Sequence, residues 1–226
     1  MSATKSIPLP TAETNRRLKY ALWTVMALAA TSVLFYSEIP LFRQPQEKAQ
    51  LHALRWVLIP HAIAGTIAFI LGPLQFSSRL RRRHTRLHRN LGRLYAFSVS
   101  LAAPLAILST AHAHYPKAIY FRIAIAIQAG AWFTATGIGI RAAMSRNIAA
   151  HRTWMVRSYA VTFTFIGTRV LQPIPAWNHL GRFWFAVAII CITCMALLTP
   201  QLARSGRLFV TRLAGLLLQV QHHRQP

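Results

Sequence analysis

Two similar stretches of sequence decide the fold: HRNLGRLYA at residues 88–96 and HRTWMVRSYA at residues 151–160. Each begins with His-Arg, ends with Arg-x-Tyr-Ala and leads directly into a long apolar run. Ionisable residues are costly near the bilayer core, and those that occur there usually serve a function. The two stretches therefore predict two membrane helices that each open with a histidine–arginine cluster.

The composition supports a membrane protein. Of 226 residues, 54% are hydrophobic and only 13% are charged, whereas soluble domains carry about 25% charged residues. The net charge is +23, and the only acidic residues are Glu13, Glu38 and Glu47. Nucleic-acid binding is not expected, because the basic residues stand in short blocks between apolar runs, as they do in cytoplasmic membrane loops.

Runs of about 20 apolar residues predict an all-α, polytopic bundle that forms a single integral membrane domain over residues 1–226. Short connectors make consecutive helices antiparallel neighbours. Beyond the last span, residues 201–226 combine apolar residues with arginines and predict an interfacial C-terminal helix. Six spans are expected, at residues 18–36, 54–76, 91–111, 118–140, 155–172 and 182–200.

Basic residues concentrate at both termini and in the blocks at residues 79–93 and 141–157. This asymmetry predicts that both termini are cytoplasmic. The fifth span is the least apolar, because Arg157 and Arg169 shorten its core. Small residues spaced by four in the fourth span, including Gly130 and Gly139, predict close packing at the centre of the bundle.

The two basic clusters are candidates for binding an anion, since arginine forks suit phosphate or carboxylate and no acidic residue is nearby. A lipid phosphate, a quinone headgroup or a haem propionate would fit. Two alternatives remain open: the arginines only set topology and touch lipid headgroups, or the histidines transfer protons. The tyrosines are equally typical of interfacial anchors. The candidate residues are His88, Arg89, Arg93, Tyr95, His151, Arg152, Arg157 and Tyr159.

A second hypothesis is a membrane redox protein that binds b-type haem or quinone. Haem b requires two axial imidazoles at equal depth and cations for its propionates. His61 with His112 could form an outer pair near Arg169, and His88 with His151 an inner pair. His61 hydrogen-bonded to a neighbouring helix is the structural alternative. No other metal site and no enzyme motif is expected, so the sequence leaves enzymatic activity and oligomeric state open.

The motifs also resemble a known family. His61, the run GPLQF at residues 72–76 and the two histidine–arginine stretches are similar to the bacterial membrane proteins of domain-of-unknown-function family number 2306. The resemblance covers about residues 55–175. It implies a multi-pass protein of the bacterial inner membrane and carries no substrate or cofactor with it.

The internal likeness makes a structural prediction. Spans two and three, and spans four and five, form two hairpins that each carry a basic loop at the same side of the membrane. Two such hairpins predict a pseudo-two-fold four-helix core, with the first and sixth spans flanking it.

Overall fold

The computed structural model describes residues 54–112, 119–171 and 183–201, together with Thr24, Leu28, Thr31 and Gly181; at His112, Ile166 and residues 169–171 only the backbone is described. The chain divides into two units, residues 1–44 and 45–226. In the first unit Thr24, Leu28 and Thr31 are helical and exposed. The rest of the predicted span at 18–36 and the tail beyond Gln201 lie outside the described residues.

The described part of the second unit is helical. We number its helices in chain order: α1 (Arg55–Gln75), α2 (Ser78–Arg83), α3 (Thr85–His112), α4 (Ile119–Met144), α5 (Ile148–Leu171) and α6 (Phe183–Gln201). The third and fifth predicted spans begin earlier than expected, because both histidine–arginine stretches lie inside helices. His88 and His151 are therefore in the first turn of α3 and α5.

Four helices in the described residues are long and apolar enough to cross a membrane: α1, most of α3 (Thr85–Ala111), α4 and α6. Helix α5 is long enough as well, since 24 residues extend about 36 Å. It does not belong to this apolar set, because arginines and five serine or threonine residues interrupt its sequence. The all-α fold is that of a helical membrane bundle.

Two short turns reverse the chain at one end of the bundle. Ser77 caps α2, its hydroxyl accepting a hydrogen bond from Leu80 N at 3.3 Å, as an N-cap side chain does. Between α4 and α5, Arg146 adopts a left-handed conformation with φ of 59°, and Asn147 Oδ1 caps α5 by accepting from Ala150 N at 3.0 Å. These turns bring His88 and His151 to the same side, which we call the histidine end.

Helix α3 packs along α1 on one side and along α4 on the other, and α4 packs along α5. Helix α1 also touches α5, so these four helices form a closed antiparallel ring. Helix α6 packs against α4 through Ala124, Ala186 and Ile189. The core is built mainly from small side chains, which allow helices to approach closely: Ala64, Ala68, Ala102, Ala103, Ala129 and Ala196 line it, with Tyr95 and Trp132 as its largest members.

Large apolar side chains cover the outside of the bundle. Ile70, Phe97, Phe133 and Met195 are among those more than half exposed. A soluble protein rarely presents so much continuous apolar surface, and the arrangement implies a lipid bilayer around the bundle.

The glycines of α4 do not form the single packed stripe that their spacing suggested. Gly139 is packed against Met155, whose Sδ would lie 2.8 Å from a Cβ at that position. Gly130 faces open space, so the expectation that it packs closely was wrong. The buried stripe of α4 instead follows Ala124, Gln128 and Trp132, because the contacts with α3, α5 and α6 select a different face of the helix.

Candidate functional site

The histidine end begins with a contact between Gln75, the last residue of α1, and the first turns of α3. Two backbone groups set the orientation of the Gln75 amide: its nitrogen donates to His88 O at 3.2 Å, and its oxygen accepts from Gly92 N at 3.3 Å. In that orientation the same nitrogen lies 2.7 Å from His88 Nδ1. Because an amide nitrogen only donates, His88 Nδ1 accepts, and the neutral imidazole carries its proton on Nε2.

His151 is held differently. Its Nδ1 lies 2.8 Å from Gly139 O on α4, and a carbonyl oxygen only accepts. The proton of the neutral ring is therefore on Nδ1, and Nε2 keeps its lone pair. The imidazoles of His88 and His151 lie within electrostatic range of each other, so the structure brings the two histidine–arginine stretches together.

Several arginines share the histidine end with this pair. Arg81 binds the carboxyl end of α1, where its Nη1 donates to Phe76 O at 3.0 Å and to Gln75 O at 3.4 Å. Arg81 and Arg89 both act electrostatically on His88. Arg89, Arg93 and Arg152 are exposed. We call these six residues the basic cluster: His88, His151, Arg81, Arg89, Arg93 and Arg152.

The basic cluster has no acidic partner within the chain that the structure describes. All three acidic residues precede residue 48 and lie outside the described ranges. Among the described residues, the arginines of the basic cluster therefore have no acidic side chain as a counter-charge.

Arg157 does not face the basic cluster. Its Nε donates to Leu197 O at 3.0 Å, and its guanidinium carbon lies 4.3 Å from the centre of the Trp154 ring. In the orientation of the Gln201 amide that lets its nitrogen donate to Leu198 O, the amide oxygen accepts a hydrogen bond from Arg157 Nη2. A cation at the carboxyl end of a helix is stabilised by the helix dipole, so Arg157 fastens α6 to α5.

Tyr95 points into the centre of the bundle, where it is 1% exposed. Its hydroxyl lies 2.7 Å from Ser158 Oγ and 3.2 Å from Thr162 Oγ1, and Ser158 Oγ also lies 2.7 Å from Thr136 Oγ1. The buried indole N–H of Trp132 lies beside Tyr95. It makes no hydrogen bond to any of the described residues. Tyr95 therefore joins α3, α4 and α5 through buried hydroxyls.

Tyr159 packs against α1 at Gly72. A Cβ at position 72 would overlap the ring, since it would lie 3.0 Å from Tyr159 Cγ and closer still to Cδ2 and Cε2. The hydroxyl donates to Phe69 O at 3.3 Å. Tyr95 and Tyr159 thus hold helices together and do not extend to the surface of the basic cluster.

His61 lies far from the histidine end, 14 residues and about 21 Å along α1 from Gln75. Its Nδ1 lies 2.8 Å from Ala102 O on α3. A hydrogen bond to a neighbouring helix was the structural alternative to haem ligation in the sequence analysis. His112 is ten residues beyond Ala102, about 15 Å further along α3. The backbones of His61 and His112 are therefore offset in depth. The side chains of His112 and Arg169 lie outside the described part.

Sequence reasoning gave no role to two residues that organise the site. Gln75 was part of the family-like motif, and a polar residue closing an apolar run was the available signal. Arg81 could not be separated from its neighbours Arg82 and Arg83, because only the fold shows which guanidinium turns back to α1.

The orientation of the Gln75 amide bears on the inner haem pair. Two imidazoles can ligate one iron through Nε2 only if both nitrogens carry lone pairs, and Gln75 places a proton on Nε2 of His88. Within the described residues no group of three or more histidine, cysteine or acidic side chains could hold a metal ion.

The comparisons with known proteins agree with a membrane bundle. A family model described as "Predicted membrane protein (DUF2306)" matches residues 58–203. The match extends past the expected limit at residue 175 and includes α6. Neither the curated proteins nor the solved structures contain a match to this chain. The model covers α2 to α5, most of α1 and all of α6, and the chain therefore belongs to the DUF2306 family of predicted membrane proteins.

Proposed function

We propose that the protein binds anionic phosphate headgroups of lipids through the basic cluster, and that the histidine end faces the cytoplasm of a bacterial inner membrane. One observation carries the proposal: exposed arginines and two half-buried histidines share the histidine end, where no carboxylate of the described chain neutralises them. A membrane supplies the missing charge, because each lysine or arginine near an anionic surface gains about 1 kcal/mol.

The geometry favours a defined site over diffuse surface charge. Arg81 is anchored on two carbonyls, and both histidines have one ring nitrogen committed to a neighbouring helix. Groups that are already oriented lose less conformational entropy when a ligand arrives. A headgroup at this end would meet fixed imidazoles and Arg81, with Arg89, Arg93 and Arg152 as mobile cations around them.

The orientation follows from the same charges. The histidine end, with helix α2 and the first turns of α3 and α5, carries most of the arginines of the described chain, and segments rich in arginine remain in the cytoplasm. Single cysteines at Ser78 and Ser145, probed with a membrane-impermeant thiol reagent, would test it in a background in which Cys191 and Cys194 are serine. Labelling of intact spheroplasts at either position would contradict the proposed orientation.

The binding test is a titration of the purified chain in phosphatidylcholine nanodiscs with a short-chain phosphatidylglycerol. We expect the combined change of Arg89, Arg93 and Arg152 to Gln to weaken binding at least tenfold. Arg55→Gln removes one cation from the opposite end of α1 and is the matched control for the single change Arg152→Gln, which should weaken binding more. An equal loss in both proteins, or no measurable binding to the unaltered chain, would refute the proposal.

A redox role remains the second candidate, and one observation favours it. Nδ1 of His61 and of His151 each lies against a backbone carbonyl, which is the arrangement that orients many metal-binding histidines. His61 lies near the start of α1, far from the histidine end where His151 lies, so the two cannot share one haem. A reduced-minus-oxidised spectrum of the protein from haem-replete cells tests this role: a Soret change would support it, and a flat trace would remove haem.

A further inference from the structure

We propose that the contact between Gln75 and His88 is a pH-sensitive latch, which holds the end of α1 against α3 while His88 is neutral and releases it when His88 becomes charged. The inference goes beyond the proposed function and does not depend on lipid binding. It rests on one side-chain amide and the three groups that this amide faces, all of which lie within hydrogen-bond distance of it.

A neutral His88 satisfies all three contacts of the Gln75 amide. The amide nitrogen donates to His88 Nδ1 at 2.7 Å and to His88 O at 3.2 Å, and the amide oxygen accepts from Gly92 N at 3.3 Å. An amide nitrogen carries two protons and an amide oxygen accepts, so the three bonds are compatible with one another. In this state the last residue of α1 is bound to the first turns of α3.

A charged His88 cannot satisfy the same amide in either orientation. Both ring nitrogens of an imidazolium carry protons, so Nδ1–H would face the Gln75 nitrogen, and two donors would meet at 2.7 Å. If the amide turned over, its oxygen would accept from Nδ1–H but would lie against His88 O, and its nitrogen would lie against Gly92 N. The charged form therefore loses at least one hydrogen bond, and the contact between α1 and α3 weakens.

The corresponding contact of His151 does not distinguish the two protonation states. Its Nδ1 lies 2.8 Å from Gly139 O, and Nδ1–H can donate to this carbonyl whether or not Nε2 carries a proton. The two histidine–arginine stretches therefore provide one contact that depends on protonation, between α1 and α3, and one that does not, between α4 and α5. The second contact is an internal control for the first.

The surroundings of His88 supply no counter-charge for a second proton. Arg81 from α2, His151 from α5 and Arg89 of α3 itself act on it electrostatically. Gln75, its partner on α1, is uncharged, and no acidic side chain occurs in the described ranges. Among these residues the charged ring gains no carboxylate that would compensate for the bond lost to Gln75.

The first experiment measures how readily His88 becomes charged. Nitrogen-15 NMR of labelled histidines gives the ratio of charged to neutral rings in the purified full chain between about pH 5 and 8, where histidine titrates. Gln75→Met keeps the length of the side chain and removes the donor, so this ratio at a given pH should rise roughly three- to tenfold, the worth of one hydrogen bond. An apolar neighbour alone would lower the ratio, because desolvation disfavours the charged form. The exposed His84 is the control and should titrate equally in both proteins.

The second experiment follows the latch in the unaltered protein. Amide hydrogen exchange, expressed as protection relative to the unfolded chain at the same pH, is measured at residues 74–77 and at residues 139–143. We expect protection at the end of α1 to fall roughly three- to tenfold as His88 becomes charged, while protection near Gly139 stays constant. This measurement needs no variant, so it decides the matter even if Gln75→Met does not fold.

The outcomes separate this inference from the proposed function. A raised ratio of charged to neutral His88 in Gln75→Met, with a loss of protection confined to the end of α1 at low pH, supports the latch. An unchanged or lowered ratio, an equal loss of protection at both contacts, or a His88 that never becomes charged in this range overturns it. None of these results bears on lipid binding, which the nanodisc titration tests separately.

Discussion

Replacement of Gly72 by alanine tests the contact that closes the four-helix ring. The added Cβ would lie 3.0 Å from Tyr159 Cγ and nearer to two further ring atoms, whereas carbon atoms in ordinary contact are about 3.5–4.0 Å apart. The ring is rigid, and Cδ2 and Cε2 would lie nearer than Cγ, so Tyr159 or α1 must move by more than about 1 Å to restore ordinary contact. Overpacking of this kind costs about 1–3 kcal/mol.

A matched control lies on the same helix. A Cβ at Gly65 meets nothing within 4 Å, and alanine is favoured over glycine inside a helix by about 1 kcal/mol. Gly65→Ala should therefore be neutral or stabilising where Gly72→Ala is destabilising. Tyr159→Ala removes the obstructing ring, so in that background Gly72→Ala should cost much less.

The assay is unfolding of the detergent-solubilised protein, followed by circular dichroism while the fraction of a denaturing detergent is raised. The four proteins of the Gly72–Tyr159 double-mutant cycle are measured together with Gly65→Ala. Equal effects of the two glycine changes, or a Gly72→Ala cost that persists unchanged without Tyr159, would refute the packing of Tyr159 on α1.

The remaining predictions use the same unfolding assay or amide hydrogen exchange. Tyr95→Phe should destabilise the protein by about 1 kcal/mol, because the buried hydroxyls of Ser158 and Thr162 on α5 lose the Tyr95 hydroxyl on α3 as a hydrogen-bond partner. Tyr120→Phe changes an exposed tyrosine and should have little effect. Arg157→Gln should increase amide exchange in the last turn of α6 and leave α1 unchanged, since the guanidinium binds carbonyl groups there. Gly139→Ala should be destabilising but milder than Gly72→Ala, because a flexible Met thioether can move aside, while Gly137→Ala should be tolerated.

Each of these results can contradict the structure. A Tyr95→Phe protein as stable as the unaltered chain would argue against the hydroxyl cluster. Unchanged exchange in α6 after Arg157→Gln would argue against its attachment to α5. A Gly137→Ala protein less stable than Gly139→Ala would mean that α4 presents the other face to the bundle.

The histidine–arginine stretches predicted a candidate site and left its internal order open. Hydropathy and charge blocks placed His88 and His151 at the openings of two spans, and antiparallel helices put both openings at one end of the bundle. Charge patterning could not separate Arg152, which is exposed, from Arg157, which turns to α6. Both are arginines five residues apart at the start of one helix, and only their neighbours in space distinguish them.

The tyrosines show a similar limit. Tyr95 and Tyr159 occupy equivalent places in the two stretches, yet one reaches Ser158 and the other lies on Gly72 of α1. The second stretch is one residue longer, and one residue turns a helical side chain by about 100°. A repeat in sequence therefore did not produce a repeat in contacts.

The sequence by itself determined that this is an all-α membrane protein with basic loops, because apolar run length and charge are properties of local segments. The tertiary structure alone decided which face of each helix is buried, which glycine must stay a glycine, and which nitrogen of each histidine carries the proton. Those properties depend on atoms from helices distant in the chain, such as Gln75 beside His88 and Gly139 beside His151, and no local pattern records them.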